Sequence, residues 1–216
     1  MRLSKYILIA LMSFTFVCGG VTGGLEPEGQ AATAILGSVS SGDGSGNCDV
    51  PPTWKGPIRG KARWVPTYVD KHGKPQAYCD RQTGIVIQGT PGTPGTVATN
   101  CDNGNPCPWS DALFYCANLI VGDSGQKGWR LLYMQELAAL ADINSKSCTN
   151  DNLCLPDGHP FKDVQSNFYW SASTYAPQSD AAWIVDFSIG FVAPGSKVGT
   201  PLLAWCGRGA SAADAY

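Results

Sequence analysis

Cysteine is the residue type with the most potential chemistry in this chain, which has nine cysteines among its 216 residues. Cysteines form disulfides, bind metals or act as nucleophiles, and the cellular compartment decides between these roles. Cys18 directly follows a basic start and an apolar run at 6–17, a pattern typical of an export signal. Eight cysteines remain: Cys48, Cys79, Cys101, Cys107, Cys116, Cys148, Cys154 and Cys206. An even set in an exported protein predicts a disulfide framework, although on the order of a hundred pairings are open.

Metal binding is the alternative role for these cysteines. The chain has no C-x-x-C motif and only two histidines, so the spacing does not fit a structural zinc site. The loops 101–107 and 148–154 share the pattern C-x-N-x-N-x-C, and each could close on itself as a stapled turn. Their Asn and Asp oxygens also suggest a calcium site, but neither loop supplies the roughly six convergent oxygens that calcium prefers. We expect stapled turns, with no metal and no cofactor.

Few titratable side chains are placed for catalysis. His72 in DKHGKP and His159 in DGHPF both lie in turn sequences, which gives little support to a catalytic triad. Glu136 is expected to pair with Arg130 rather than to act as an acid. If all eight cysteines are paired, no thiolate remains for nucleophilic or copper chemistry. The sequence therefore predicts no catalytic residue.

Composition divides the chain into four segments. We predict an export signal at 1–18, a flexible Gly/Ser-rich tether at 19–47, a basic N-terminal extension at 48–79 and a folded domain at 80–216. Cys18 at the end of the signal resembles the lipobox of bacterial lipoproteins, and ordinary cleavage near Gly20 or Gly23 is the alternative. No apolar run after residue 17 reaches the roughly 20 residues that a membrane-spanning helix needs.

Charge is distributed unevenly along the chain. The net charge is -2 and the pI is 5.6, so the protein lacks the cationic field of nucleic-acid-binding proteins. Residues 48–81, however, carry seven Lys or Arg against three Asp. Arg59, Lys61 and Arg63 alternate, so they share one face if 58–69 is a strand. Such a strip could bind a sulfated or phosphorylated polymer through its positive charge. The alternative is an ordinary solvated strand face.

Periodicity indicates an α+β protein. Ser110 is a candidate N-cap for a helix whose core face includes Cys116, and a second helix is predicted at 134–142. Alternating or apolar runs predict strands at 168–173, 181–192 and 202–206. The segment 89–96, GTPGTPGT, has too few triplets for a collagen helix and is interpreted as an extended Pro-Gly loop. Two helices followed by a strand-rich half favour α+β over a doubly wound sheet.

A series of motifs extends from Asp80 to Arg208. In order they are TGIV from Thr83, WSDALFYCANL from Trp109, GWRL from Gly128, EL at Glu136, YWSAST from Tyr169, AWIVDFSIG from Ala182 and CGR from Cys206. Together they resemble the family once called DUF1566, which is named for the C-terminal domain of a Legionella collagen-like adhesin. The resemblance implies a C-type-lectin-like fold of the variety shared with formylglycine-generating enzymes. In this chain that fold would have two helices, a small antiparallel sheet, long loops and disulfides.

The resemblance also implies a disulfide pairing. In C-type-lectin-like domains a cysteine of the first helix commonly bonds one on the last strand, which corresponds here to Cys116 and Cys206. The remaining nearest-neighbour pairs would be Cys48 with Cys79, Cys101 with Cys107 and Cys148 with Cys154. The family pattern WRLPT is altered, because Leu132 and Tyr133 replace Pro and Thr and remove the N-cap hydroxyl. We therefore expect the second helix to start irregularly.

Tryptophans and late loops supply the candidate recognition residues. Tryptophans inside the motifs are expected in the core, whereas Trp54 and Trp205 are freer to contact a carbohydrate. The resemblance implies recognition by the loops 174–180 and 190–200. The candidate binding residues in these loops are Tyr175, Gln178, Asp180 and Lys197, and ordinary polar loops are the alternative.

These features predict a non-catalytic, adhesin-like binding module at the bacterial cell envelope or outer surface, or secreted from the cell. Its partner would be an extracellular polymer, such as a sulfated glycan, or a protein. It would contact the membrane only through a lipid on Cys18. One alternative is a structural envelope or appendage component that packs against partner subunits. Another is an enzyme of the formylglycine-generating type, which requires an unpaired cysteine.

Overall fold

The computed structural model describes residues 56–209, except 94, 96–98, 123–124 and 126. The export signal, the tether, Cys48 and Trp54 lie outside the described residues. The elements within them are β1 (Trp64–Val69), β2 (Pro75–Asp80), β3 (Val86–Gln88), α1 (Trp109–Asn118), β4 (Arg130–Leu131), α2 (Met134–Ala138), α3 (Lys146–Asp151), β5 (Phe168–Thr174), β6 (Ala181–Asp186), β7 (Phe191–Ser196) and β8 (Cys206–Arg208). None of these helices is both long enough and apolar enough to span a bilayer.

The strands form two antiparallel sheets. One has five strands in the order β1-β2-β3-β8-β4, and the other has three in the order β5-β6-β7. Strand β2 pairs with both β1 and β3, so Cys79 lies opposite Val65 on one side and Val86 on the other. The predicted boundary between residues 79 and 80 falls inside this sheet. The α+β prediction is confirmed, with a third helix and a second sheet that the sequence did not predict.

The outer strands of both sheets are poor templates for further pairing. Strand β1 contains Pro66 and β7 contains Pro194, and proline has no N–H to donate to a neighbouring strand. Strand β4 has only two residues. On β5, Tyr169 is bridged to Leu203. No outer strand in the described part of the chain therefore presents a long, unprotected edge.

Helix α1 is anchored through its buried face. Tyr115 and Cys116 are almost fully buried, which confirms the predicted orientation of Cys116. The amide nitrogen of Gln88 donates a hydrogen bond of 2.8 Å to the Tyr115 hydroxyl. The indole N–H of Trp205 donates one of 2.9 Å to the backbone oxygen of Gln88. Buried hydrogen bonds therefore connect α1, β3 and the segment that leads into β8.

Helix α2 starts without the N-cap hydroxyl of the family pattern, as expected. Two other side chains accept hydrogen bonds from the backbone N–H groups at its start. Glu136 accepts a hydrogen bond of 2.8 Å from the backbone N–H of Tyr133. Ser173 on β5 accepts one of 3.0 Å from the N–H of Met134. Arg130 forms an ion pair with Glu136 through two N–O contacts of 2.7 Å, which confirms the expected pair. The helix ends at Ala138, four residues earlier than predicted.

Three disulfides join described residues, and all three follow the implied pairing. They are Cys101–Cys107, Cys116–Cys206 and Cys148–Cys154. The Cys116–Cys206 bond connects α1 to β8, with a Cα–Cα distance of 5.4 Å. Cys79 is also disulfide-bonded, and its predicted partner Cys48 lies outside the described residues. The loop 148–154 is more than a turn, because helix α3 forms its first part.

Three predicted strands have different bounds in the structure. The strand predicted at 58–69 is wrong in its first half, because Gly60–Arg63 forms a 3-10 turn and β1 begins at Trp64. The run 181–192 is two strands, since the chain reverses at Gly190, which has a φ of 70°. The apolar run 202–206 is largely irregular and enters strand β8 only at its last residue.

An aromatic cluster joins the two sheets. Phe161 packs edge-on against Trp64 of β1 and against Trp205, with ring centroids 4.9 Å apart in both pairs. Trp205 also contacts Tyr169 of β5 at 5.8 Å. The prediction that Trp205 is free to contact a ligand is wrong, because these neighbours bury its side chain completely. His159 stacks on Phe161 at 6.0 Å, and burial lowers its pKa.

Candidate ligand-binding surface

The four predicted loop residues come together at one end of the three-stranded sheet. The turn between β5 and β6 is closed by two backbone hydrogen bonds of 2.9 Å, from Tyr175 to Ala181 and from Ala181 to Gln178. Lys197, directly after β7, donates its backbone N–H to the oxygen of Asp180 at 2.8 Å. Tyr175, Gln178, Asp180 and Lys197 therefore share one backbone framework, which we call the hairpin surface.

The side chain of Lys197 stabilises the hairpin surface. Its Nζ donates hydrogen bonds to Thr174 Oγ1 at 2.9 Å and to the backbone oxygen of Ser179 at 2.8 Å. The same nitrogen lies 4.1 Å from the ring centroid of Trp109, the first residue of α1, in a cation–π contact. The indole N–H of Trp109 donates to the backbone oxygen of Ser171 on β5 at 2.9 Å. One lysine thus connects α1, the β5–β6 turn and the end of β7.

Two of the four side chains are available to a ligand. Tyr175 is half-buried and packs edge-on against Trp183, with a centroid distance of 4.9 Å. Gln178 and Asp180 are exposed, and neither side chain has a hydrogen-bonding partner among the described residues. A carboxamide and a carboxylate on a rigid turn offer both donors and acceptors at little conformational cost.

Trp109 also belongs to this surface although the sequence did not indicate it, whereas Thr174 lies in the predicted loop 174–180. Trp109 was assigned to the core with Trp129, Trp170 and Trp183. Trp129 and Trp170 are indeed buried, whereas Trp183 is only partly buried. The Trp109 ring is only partly buried, and it supports Lys197. Trp109, Thr174 and Lys197 lie on different elements and far apart in the sequence, so no local pattern connects them.

The residues Arg59, Lys61 and Arg63 do not form a basic strip. They do not alternate along a strand, because residues 60–63 are a 3-10 turn. The guanidinium of Arg63 contacts both carboxylate oxygens of Asp80 at 2.7 Å and lies 4.5 Å from the ring centroid of Trp64. Arg63 therefore stabilises the fold, and only Arg59 and Lys61 are exposed.

Arg59 lines a cleft of mixed charge. The cleft has a volume of about 400 Å³ and is also lined by Asp142 and Asp157. Arg63 also lines the cleft, but its charge is paired with Asp80. A sulfated polymer at this position would therefore meet two carboxylates together with Arg59 and a compensated arginine, which reduces the attraction. This region gives weaker support to polymer binding than the hairpin surface does.

The described residues contain neither a metal-ligating cluster nor a free thiol. They contain no group of three or more His, Cys, Asp or Glu side chains that could hold a metal ion. The seven cysteines among them are all disulfide-bonded. His72 is exposed, and His159 is half-buried beside Phe161. Hydrogen bonding and aromatic contact are therefore the interactions that the hairpin surface can make.

The fold and its cysteine pairs define a disulfide-framed α+β domain with a rigid polar turn at one end of the smaller sheet. A family model described as the Lcl C-terminal domain matches residues 77–208, which is more than half of the chain. The chain belongs to this family, the C-terminal domain of the Legionella collagen-like protein, and the predicted family is confirmed. A comparison with curated proteins gives no match. Family membership supports an adhesin-like surface module and an exported localisation.

Proposed function

We propose that the protein is an exported, surface-attached binding module of the C-type-lectin-like kind that recognises an extracellular polymer or protein at the hairpin surface. The observation that carries this proposal is that four candidate binding residues share one hydrogen-bonded turn, and that Lys197 braces it. Membership of the Lcl C-terminal domain family supports the adhesin-like role.

The rigidity of the hairpin surface favours recognition. A ligand that meets a flexible loop must order it, and each immobilised side chain costs about 0.5 to 1.5 kcal/mol. Backbone hydrogen bonds and the Lys197 contacts already hold this turn in one conformation. Contacts to Gln178 and Asp180 therefore contribute to affinity with a smaller entropic loss.

The proposed role is binding without catalysis. Nucleophilic or copper chemistry of the formylglycine-generating type needs a free thiolate. Every cysteine among the described residues is in a disulfide, so none of them supplies such a thiolate. Titration of free thiols in the unfolded, unreduced protein tests this part of the proposal, and an unpaired cysteine would favour the enzyme.

Binding of the disulfide-bonded protein to an array tests the hairpin surface. The array carries sulfated polysaccharides, unsulfated polysaccharides and extracellular matrix proteins, and it is read at low and high salt. The double variant Gln178→Ala/Asp180→Ala removes both available side chains without touching the core. We expect its affinity for the strongest array ligand to fall about tenfold or more, because hydrogen bonds to that ligand are lost.

A matched double variant controls for unspecific effects. Gln135→Ala/Asp151→Ala removes the same two side-chain types from exposed positions on α2 and α3. Its binding should equal that of the unmodified protein. Equal losses in both double variants, or no loss in the first, would contradict the hairpin surface as the binding site.

A cluster of exposed apolar residues favours a structural component as the second candidate function. Ile143, Ile189 and Phe191 have 60%, 64% and 54% of their surface exposed. Ile143 also lies against Gly190, between the other two in sequence. If this patch packs against a partner subunit, the protein should sediment as larger assemblies, and Ile189→Ser/Phe191→Thr should abolish them. The hairpin double variant should leave those assemblies intact.

A further inference from the structure

A second polar cleft lies between three loops, and it shares no lining residue with the hairpin surface. Its volume is about 560 Å³. Its walls are residues 90–93 of the Pro-Gly loop, residues 103–104 of the loop closed by Cys101–Cys107, and residues 163–165. Small ligands occupy clefts of roughly 300 to 1,000 Å³.

The first wall gives the Thr-Pro-Gly motif a structural role. The N–H of Thr93 donates to the oxygen of Thr90 at 3.3 Å, which closes a four-residue turn. Pro91 is the second residue of this turn and Gly92 the third, with a φ of 74°, as in a type II turn. A Cβ atom on Gly92 would collide with the backbone of Gly104. Glycine therefore allows the turn to touch the second wall.

Hydrogen bonds hold the first two walls together. The N–H of Asn103 donates to the oxygen of Gly92 at 2.6 Å. The hydroxyl of Tyr115 donates to the oxygen of Thr93 at 2.8 Å. Burial raises the pKa of Tyr115 to about 12, so this hydroxyl keeps its proton at neutral pH. The Pro-Gly loop is therefore fixed to helix α1.

The third wall is fixed in the same way. The side-chain nitrogen of Gln165 donates to the oxygen of Gly104 at 2.7 Å, and its backbone N–H donates to the hydroxyl of Tyr169 at 2.8 Å. The N–H of Lys162 donates to the oxygen of Gly89 at 2.9 Å. All three walls are thus positioned before any ligand arrives.

Two side chains of this cleft have no internal role. Asn103 and Asp163 have φ values of 61° and 54°, and only four described residues other than glycine have a positive φ. Asn and Asp tolerate this conformation better than other residues that carry a side chain. Within the described residues, neither side chain has a hydrogen-bonding partner. The fold therefore places a carboxamide and a carboxylate in one cleft without using either.

We infer that this cleft binds an uncharged oligosaccharide segment. Sugar hydroxyls donate hydrogen bonds to the Asp163 carboxylate, and they both donate to and accept from the Asn103 carboxamide. Pro91 and Val164, which also line the cleft, offer apolar surface to the C–H face of a sugar ring.

The charge of the cleft selects against sulfated ligands. Asp163 is the only charged residue in the lining, so an anionic group would be repelled where a hydroxyl is attracted. The cleft therefore takes a chemical class of ligand that differs from a sulfated polymer, and it does so independently of the hairpin surface.

Titration of the full, disulfide-bonded chain with short uncharged oligosaccharides tests this inference. The probes are maltotriose, cellotriose, mannotriose and triacetylchitotriose, with a sulfated heparin tetrasaccharide for comparison. We expect at least one uncharged probe to bind and the sulfated one not to bind in the cleft. Asn103→Gly and Asp163→Gly should each weaken binding about tenfold, because each removes a hydrogen-bonding group.

Glycine is chosen because it adopts a positive φ without strain, so both variants keep the fold. Asn152→Gly is the matched control, since Asn152 also has a positive φ, of 52°, but caps helix α3 and is not among the residues that line the cleft. It should bind like the unmodified protein, as should Gln178→Ala/Asp180→Ala. The inference is overturned if no uncharged probe binds, if the cleft variants bind normally, or if they lose the sulfated probe instead. A loss confined to Gln178→Ala/Asp180→Ala would also overturn it while supporting the hairpin surface.

Discussion

The two sheets use their polar side chains in opposite ways. Around the five-stranded sheet, buried carboxylates are paired with arginine, as in the contact between Arg63 and Asp80. At the end of the three-stranded sheet, Gln178 and Asp180 are exposed and have no partner among the described residues. The first arrangement stabilises the fold, and the second leaves hydrogen-bonding capacity for a ligand.

This difference shows that charge alone is a poor guide to binding residues. Arg63 has a full positive charge, but Asp80 and the ring of Trp64 already satisfy it. Asp180 has one charge, and its side chain has no hydrogen-bonding or ion-pair partner among the described residues. The absence of an internal partner on a rigid element is therefore the better criterion, and it also selects Asn103 and Asp163 in the second cleft.

Removal of a disulfide should give the largest difference in the free energy of unfolding between the two regions. The bond between Cys116 and Cys206 closes a sequence separation of 90 residues beside the five-stranded sheet, whereas Cys148–Cys154 closes one of 6 residues next to the smaller sheet. By loop-closure entropy, Cys116→Ala/Cys206→Ala should lower the free energy of unfolding by about 4.5 kcal/mol and Cys148→Ala/Cys154→Ala by about 2 kcal/mol. Urea unfolding measures both values, and equal losses would refute the predicted difference.

Two aspartates of opposite status sharpen the comparison. Asp80 is 1% exposed and accepts hydrogen bonds from Arg63, from the N–H of Gln82 and from the hydroxyl of Thr83. Asp80→Asn leaves the arginine charge uncompensated and should lower the free energy of unfolding by about 3 kcal/mol. Asp180→Asn should change it by less than about 0.5 kcal/mol. Thermal or urea unfolding measures both changes. A loss for Asp180→Asn comparable to that for Asp80→Asn would show that the Asp180 carboxylate has a stabilising partner.

The smallest expected effect is a pH dependence of stability that arises from His159, in the aromatic cluster between the sheets. Burial lowers the pKa of His159 below its ordinary value of 6.5, so the unfolded chain binds the proton more readily. The folded state should therefore lose stability as the pH falls below about 6.5 towards the lowered pKa. His159→Gln should flatten this dependence in urea unfolding between about pH 7.5 and 5.5. The variant His72→Gln, at an exposed histidine, serves as control. If the slope of stability against pH is unchanged in His159→Gln, His159 is not the origin of the pH dependence.

Much of the fold could be predicted from the sequence because its signals are local. Helical spacing placed Cys116 in the core. Its bond with Cys206, which the structure contains, was implied by the family resemblance. The strand at 58–69 was misjudged because alternating charges can also occur in a turn. The burial of Trp205 depends on Phe161 and Tyr169, which are distant in sequence, so no local pattern could reveal it.

The candidate site was predictable as a set of loops but not as a surface. The family resemblance indicated the residues from Tyr175 to Lys197, and the structure joins them through backbone hydrogen bonds. The support from Trp109 depends on the packing of α1 against β5. The second cleft was missed because its loops meet only through long-range contacts, such as that between Gly92 and Gly104. The Thr-Pro-Gly repeat was its one visible signal.

The protection of the outer strands affects how the protein behaves at high concentration. Pro66 and Pro194 interrupt the donors of β1 and β7, β4 is short, and β5 is bridged to Leu203. Open strand edges would let copies of a protein pair with one another and grow into fibrils when they are concentrated. The outer strands in the described part of the chain give such growth no long open edge, so the fold resists edge-to-edge aggregation.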